Sequence, residues 1–134
     1  MLDENRLRNK ALFAKVTDAD TAARLIQDHD HVGFSGFTPS GYPKKTALAL
    51  AEQIKAGRKC RISIWTGASV GPEIEEALAE VHGVESRAPY YAASNRSMRA
   101  EINTGEIRYT DIHLSEFAQQ VGAGFFGSVD TAVV

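Results

Sequence analysis

Two stretches of this sequence hold residues from which an anion site can be built. The first is Ser35-Gly36-Phe37-Thr38-Pro39-Ser40-Gly41-Tyr42-Pro43-Lys44, which follows the apolar run Val32-Gly33-Phe34. Three glycines between positions 33 and 41 let backbone approach a ligand without intervening Cβ atoms. Pro43 suits the first position of a helix, where a missing N–H costs nothing. Such a turn aims unpaired N–H groups and the positive end of a helix dipole at one spot, which favours a phosphate or a carboxylate. The second stretch lies about thirty residues on: Thr66-Gly67-Ala68-Ser69-Val70-Gly71 follows Ile62-Ser63-Ile64-Trp65, and Pro72 opens another helix. Loops of one kind after successive strands imply parallel strands with both loops at one edge, where open α/β sheets bind ligands.

Other chemistry is poorly supported. A nucleotide-binding P-loop needs Gly-Lys-Ser/Thr where this chain has Gly41-Tyr42-Pro43. Asp28-His29-Asp30-His31 has metal-ligand residue types but sits in the connection before a strand, so it reads as a solvated turn, and no metal site is expected. His113, between a weak strand and a helix, reads as structural or capping rather than as a general base. Cys60, flanked by Lys59 and Arg61, has no partner residue in view and reads as a packed thiol. Arg96 and Arg99 are placed on a solvated helix face, with the phosphates of a ligand as their alternative contact. Trp65, Phe34 and Phe37 are core candidates in or beside strands, with Phe37 the one placed nearest the pocket. Glu73, Glu75, Glu76 and Glu80 are expected on a charged helix surface with no acid/base role.

The elements that must carry these loops are legible from periodicity. Residues 2–15 suggest a short surface helix, and Thr17 an N-cap for a helix over 18–28. His31 to Phe37 is the first strand. Ala47, Leu50, Ala51 and Ile54 form one helical stripe ending at Gly57, and Ile74, Ala77, Leu78 and Val81 form another ending at Gly83. A strand is expected over 84–87, a helix from Ser94/Asn95 to Gly105, a weak strand over 107–112 and a helix bearing Leu114, Phe117, Ala118 and Val121. Val129 to Val134 reads as a buried strand at which the sequence stops, which suggests a fragment. This alternation predicts an α/β domain with a mainly parallel sheet.

Composition fits that class. The chain has 134 residues, 43% hydrophobic and 24% charged, with a formal net charge of −2. No basic field advertises nucleic acid or an anionic membrane. A single cysteine excludes an internal disulfide framework, and no apolar run approaches the roughly 20 residues needed to cross a bilayer. A soluble, cytoplasmic protein is expected, with neither nucleic acid nor membrane as partner.

The two loops, together with Met98-Arg99-Ala100-Glu101-Ile102-Asn103-Thr104-Gly105-Glu106, Asp111-Ile112-His113-Leu114-Ser115-Glu116 and Gly124-Phe125-Phe126-Gly127, resemble the acetyl-CoA hydrolase/CoA-transferase family. Within it they are most similar to the branch containing succinyl-CoA:acetate and propionyl-CoA:succinate CoA-transferases. The resemblance implies a three-layer α/β/α fold with a mainly parallel sheet, the NagB/RpiA-like first domain of a CoA-transferase. Residues 1–134 would form its incomplete N-terminal part, with the second domain outside this chain. It implies CoA transfer between a short acyl-CoA and a small carboxylate through a glutamyl-CoA thioester, whose glutamate belongs to the second domain. No catalytic residue is therefore expected here. Coenzyme A or acyl-CoA would be a substrate, with no covalently bound cofactor, and the intact protein would be a homodimer.

CoA exchange between acids gathers negative charge, so the site needs fixed N–H donors rather than acidic side chains. The substrate or CoA-binding candidates are Gly36, Phe37, Thr38, Gly41, Tyr42, Lys44, Thr66, Gly67, Ala68 and Ser69. Thr38 and Ser69 are expected to add hydroxyl donors, Tyr42 to pack on the acyl group or pantetheine, and Lys44 to offer a weaker anion contact. Two alternatives stay open: acetyl-CoA hydrolysis, and a non-catalytic α/β module that binds CoA.

Overall fold

The computed structural model describes residues 7–38 and 40–134. Five strands, β1 (His31–Phe34), β2 (Ile62–Thr66), β3 (Val84–Ala88), β4 (Arg108–Tyr109) and β5 (Thr131–Val133), form one sheet in the order β4-β3-β2-β1-β5. Every pairing is parallel. The helices are α1 (Ala19–Ala23), α2 (Lys45–Lys55), α3 (Glu75–Glu80), α4 (Arg96–Thr104) and α5 (Leu114–Gly122).

Topology dictates the layers. From β1 to β4 the chain steps in one direction, and right-handed crossovers place α2, α3 and α4 on one face, joined by α1 against α2. The connection from β4 back to β5 runs the other way, so α5 covers the opposite face. The main core lies under the first group: Val32 and Phe34 of β1 and Ile62 and Ile64 of β2 meet Leu50, Leu78 and Met98. A smaller cluster of Trp65, Ala88 and Phe117 lies under α5. The fold is three-layer α/β with a parallel sheet, as the sequence predicts.

Several boundaries differ from expectation. Of the helix expected over 2–15, residues 2–6 lie outside the described residues, and the rest holds a 3-10 helix, Lys10–Lys15, whose cap Asn9 accepts from Ala11 N–H. Asp18, not Thr17, caps α1 by accepting from Thr21 N–H at 2.7 Å, and α1 ends at Ala23 rather than near residue 28. β1 ends at Phe34, because Phe37 and Ser40 turn back on each other. Pro43 precedes α2 rather than opening it, since the cap position falls on Lys44. Pro72 likewise lies ahead of α3, whose cap position is Ile74. The stripe Ala47, Leu50, Ala51 faces the core as expected.

The terminal strand is the clearest correction. Thr131–Val133 lies at the sheet edge and pairs only with β1, so its faces are half-buried or open instead of enclosed. Val129 is 44% and Val134 94% exposed. A run of valines does not distinguish an edge strand from a central one.

Ile64 is fully buried at the centre of the sheet. Ile64→Ala should cost about 2–5 kcal/mol, whereas Leu25→Ala, on an exposed side chain, should stay within about 0.5 kcal/mol. Denaturant midpoints at constant m-value will show whether this contrast holds.

Candidate functional site

The three crossovers from β1, β2 and β3 leave their strands at the same edge of the sheet. Loop 1 (35–44) follows β1, loop 2 (67–74) follows β2 and loop 3 (89–95) follows β3. Because β1 lies between β2 and β5, the chain order reverses there, and loop 1 emerges at that switch point. Loops 1 and 2 are side by side on one rim.

Glycine makes this closeness possible. A Cβ on Gly36, whose φ is +131°, would lie 2.5 Å from Tyr42 Cβ. A Cβ on Gly71 would lie 1.9 Å from the Tyr42 hydroxyl. Tyr42 is thus a wedge between the loops, 8% exposed, and its hydroxyl donates to Glu73 at the base of loop 2. Lys44 Nζ lies 3.3 Å from the same carboxylate and 4.9 Å from the Tyr42 ring centroid. The hydrogen bond from Tyr42 is the chief reason that the Glu73 carboxyl sits below its ordinary value. Burial, helped by Glu73, pushes the Tyr42 phenol up, and the bond to Glu73 raises Lys44.

The ten candidate residues therefore divide. Tyr42 is enclosed between the loops, packed against Gly36 and Gly71. Lys44 already has an anionic partner. Thr38 donates its hydroxyl to its neighbour Phe37 C=O at 2.7 Å, so that hydroxyl proton is engaged within the loop. Thr66 and Ala68 are buried, and the Thr66 hydroxyl donates to Ala68 C=O. Phe37 and Ser40 exchange backbone bonds of 3.1 and 3.2 Å, which closes the tip of loop 1. Gly36, Gly41 and Gly67 and the half-buried Ser69 remain at the surface of the rim, with Phe37 66% exposed beside them. The N–H groups of Gly36, Ala68 and Ser69 meet no acceptor among the described residues, whereas Gly67 N–H stands opposite Phe34 C=O at the end of the β1–β2 ladder.

Two cavities flank loop 2. One of about 160 Å³ is lined by Thr38, Ser69, Gly71, Ala92, Ser94 and Asn95 among others, and so brings in loop 3. The other, about 320 Å³ and mostly apolar, lies between Gly33, Thr66, Gly67 and the α5 residues Phe117 and Val121. A wider groove of about 610 Å³ runs between α2 and α3. Its walls are helix surface whose backbone donors are already engaged, so it lacks what an oxyanion needs.

Beneath the rim lies a buried ion pair. Arg87 of β3 and Glu75 of α3 both have fully buried side chains, 2.7 Å apart. Arg87 also donates to Thr66 Oγ1 at 2.7 Å, Ala68 C=O at 3.3 Å and Ala88 C=O. Glu75 accepts from Ala92 N–H at 2.8 Å, from the Asn95 amide and, at 3.4 Å, from Val70 N–H. Burial pulls the Arg87 guanidinium below its ordinary value, and Glu75 opposes that pull.

His29 contacts Asp28 and Glu85, whereas His31 stacks on Trp65 with centroids 4.8 Å apart, so the Asp28–His31 stretch does not converge on one point. His113 stands at the cap position of α5, and burial pushes the Cys60 thiol up. Arg96 and Arg99 are exposed. No described helix is long and apolar enough to cross a membrane.

Comparison with known proteins decides the family. All of residues 1–134 match the model of the acetyl-CoA hydrolase/transferase N-terminal domain. This chain belongs to that family. It is 40% identical over 132 residues to a succinyl-CoA:acetate CoA-transferase of Clostridium kluyveri, covering 98% of this chain and 24% of that protein. Identity is 43% over 120 residues to a propanoyl-CoA:succinate CoA transferase of Escherichia coli, covering 87% and 24%. A Schizosaccharomyces pombe acetyl-CoA hydrolase is 36% identical over 141 residues, covering 97% and 26%. The chain thus spans about a quarter of the length of these relatives. The crystal structure of RipA from Yersinia pestis shares the fold, with a TM-score of 0.65 at 19% identity, covering 94% of this chain and 30% of that one.

Sequence reasoning missed three features of this family member: the Glu73 clamp, the Glu75–Arg87 pair and the part played by loop 3. Glu75 carried a readable signal. It lies three and four residues before Leu78 and Ala79, on the buried stripe of α3.

Two outcomes test the clamp. Gly71→Ala should cost about 1–3 kcal/mol by overpacking, and Tyr42→Ala should mask part of that cost, so the double-mutant cycle will be non-additive. Because Glu73 is lowered in the folded state, its contribution is complete above the ordinary value of 4.5 and is lost as pH falls through the lowered value. Thermal melts across that window should show a pH slope that Glu73→Gln reduces.

Proposed function

We propose that this chain is the N-terminal part of the first domain of a CoA-transferase, and that loops 1 and 2 line the acyl and carboxylate side of its pocket. The substrates would be a short acyl-CoA (succinyl-, propionyl- or acetyl-CoA) and a small carboxylate. The observation that carries this reading is the pair of glycine loops held on one rim, with the N–H groups of Gly36, Ala68 and Ser69 free of acceptors among the described residues. Those donors suit the oxyanion of a thioester under attack and the carboxylate that replaces CoA.

The reaction needs a carboxylate nucleophile, and among the described residues none stands free at the rim. Glu73 is engaged by Tyr42 and Lys44, and Glu75 is buried against Arg87. The proposed mechanism therefore takes a glutamate from the second domain. Its carboxylate attacks the acyl-CoA carbonyl and expels CoA thiolate, leaving a mixed anhydride. The thiolate then attacks the glutamyl carbonyl, releases the first acid and forms the glutamyl-CoA thioester. The acceptor acid reverses these two steps, so water is neither consumed nor formed. No cofactor is required, because CoA is itself a substrate.

Two bacterial relatives named as transferases, at 40% and 43% identity, support transfer. Hydrolysis is the second reading, favoured by the fission-yeast relative named acetyl-CoA hydrolase. It would use the same donors with water in place of the acceptor.

In the intact enzyme, succinyl-CoA mixed with acetate should yield acetyl-CoA. Ser69→Ala should lower kcat/KM by about 10²-fold if its hydroxyl supports the oxyanion. An unchanged transfer rate in Ser69→Ala would remove that hydroxyl from the site, and acetate-independent release of free CoA would favour hydrolysis.

A further inference from the structure

The Glu75–Arg87 pair has a feature that core packing does not require: its hydrogen bonds fan out to the loops of the rim. From one buried point it reaches the end of β2 at Thr66, loop 2 at Ala68 and Val70, and loop 3 at Ala92 and Asn95. Loop 2 is also cross-braced by the Thr66 hydroxyl on Ala68 C=O. With both carbonyl and N–H of the Ala68–Val70 turn tied inward at its ends, the Ala68 and Ser69 N–H groups are left without an acceptor among the described residues. Asn95 occupies the cap position of α4, yet its side chain makes no capping bond, because its amide is turned to Glu75. The free end of α4 is served instead by Glu76, which accepts from Ser97 N–H at 2.9 Å and from its hydroxyl at 2.9 Å. Asn95 is thus diverted from its local role to the ion pair.

We propose that Glu75 and Arg87 are positioning residues: the pair fixes the loop 2 N–H groups and the wall formed by loop 3 in the geometry that the acyl-transfer pocket uses. This inference rests on the function proposed above and assigns neither residue a contact with substrate. It also makes loop 3 part of the pocket, since Ala92, Ser94 and Asn95 line the 160 Å³ cavity that opens beside Ser69.

The chemistry of the pair separates positioning from stability. Replacing a buried ion pair by apolar residues of similar volume often leaves stability unchanged or improves it. The double variant Glu75→Leu/Arg87→Met therefore deletes every tether to the loops while the core stays filled. Arg87→Lys provides a second variant: it keeps the charge opposite Glu75 but cannot reach Thr66, Ala68 and Ala88 at once.

The experiment uses the full-length enzyme with succinyl-CoA and acetate. Active sites are counted by the single-turnover burst of released acid, and melting temperature is recorded alongside. Positioning predicts that kcat per competent site falls about 10–100-fold in the double variant, with KM for acyl-CoA moving far less and folded protein present at the assay temperature. Arg87→Lys should fall between it and wild type. If kcat per site is unchanged in both, with losses confined to melting temperature or to the number of competent sites, the pair is purely structural and the proposal is overturned. A wild-type enzyme that turns over no acyl-CoA would instead overturn the reading of function, an outcome separable from the first.

Discussion

Two charged side chains shut away from water constrain the loops of this domain. Desolvating a guanidinium and a carboxylate costs several kcal/mol for each, repaid only where geometry is close and every remaining polar atom finds a partner. Arg87 and Glu75 meet that condition by drawing in Thr66, Ala68, Val70, Ala88, Ala92 and Asn95. Their need for partners is what couples β2, α3, β3 and two loops. Loosening one loop would strand a buried charge, so the rim is held by an electrostatic penalty as well as by packing.

The same edge is arranged so that an anion meets little repulsion. Each of the first three glutamates after Pro72 is engaged: Glu73 by Tyr42 and Lys44, Glu75 by Arg87, and Glu76 by the start of α4. Between the exposed side chains of Phe37, Thr38, Ser40 and Lys44, loops 1 and 2 present backbone N–H groups, which carry positive partial charge without a titrating proton. On the proposed reading this suits a reaction in which carboxylates enter, react and leave, because the field at the rim does not change with the protonation of a neighbour.

Much of the architecture was legible in sequence. Helical stripes such as Ala47, Leu50 and Ala51 and the runs around Ile64 mark elements buried on one or both faces. Ends were less legible, because they are decided by single hydrogen bonds: Asp18 on Thr21 sets the start of α1, and the Phe37–Ser40 bridge ends β1. The ion pair was hidden by a register shift between Ile62 and Ser63. Val84 pairs with Ile62 but Ser86 with Ser63, so Val84 and Arg87 face the main core three residues apart. Simple alternation would put them on opposite faces. A strand containing a bulge cannot be read by a period of two.

The site was half legible for a related reason. Glycine spacing reveals that backbone comes close to something, but not to what. At Gly36 and Gly71 that something is Tyr42, a side chain of the same domain. At Gly67 no atom lies nearer than Gly36 C=O, 3.8 Å from where a Cβ would stand. The first two glycines are thus explained by the wedge that joins the loops. Gly67 is not, and it opens onto the apolar cavity beside Phe117 and Val121. On the proposed reading, an acyl chain lying in that cavity, with its carbonyl oxygen turned to the Ala68 and Ser69 N–H groups, would meet an apolar wall and a polar rim at the same time.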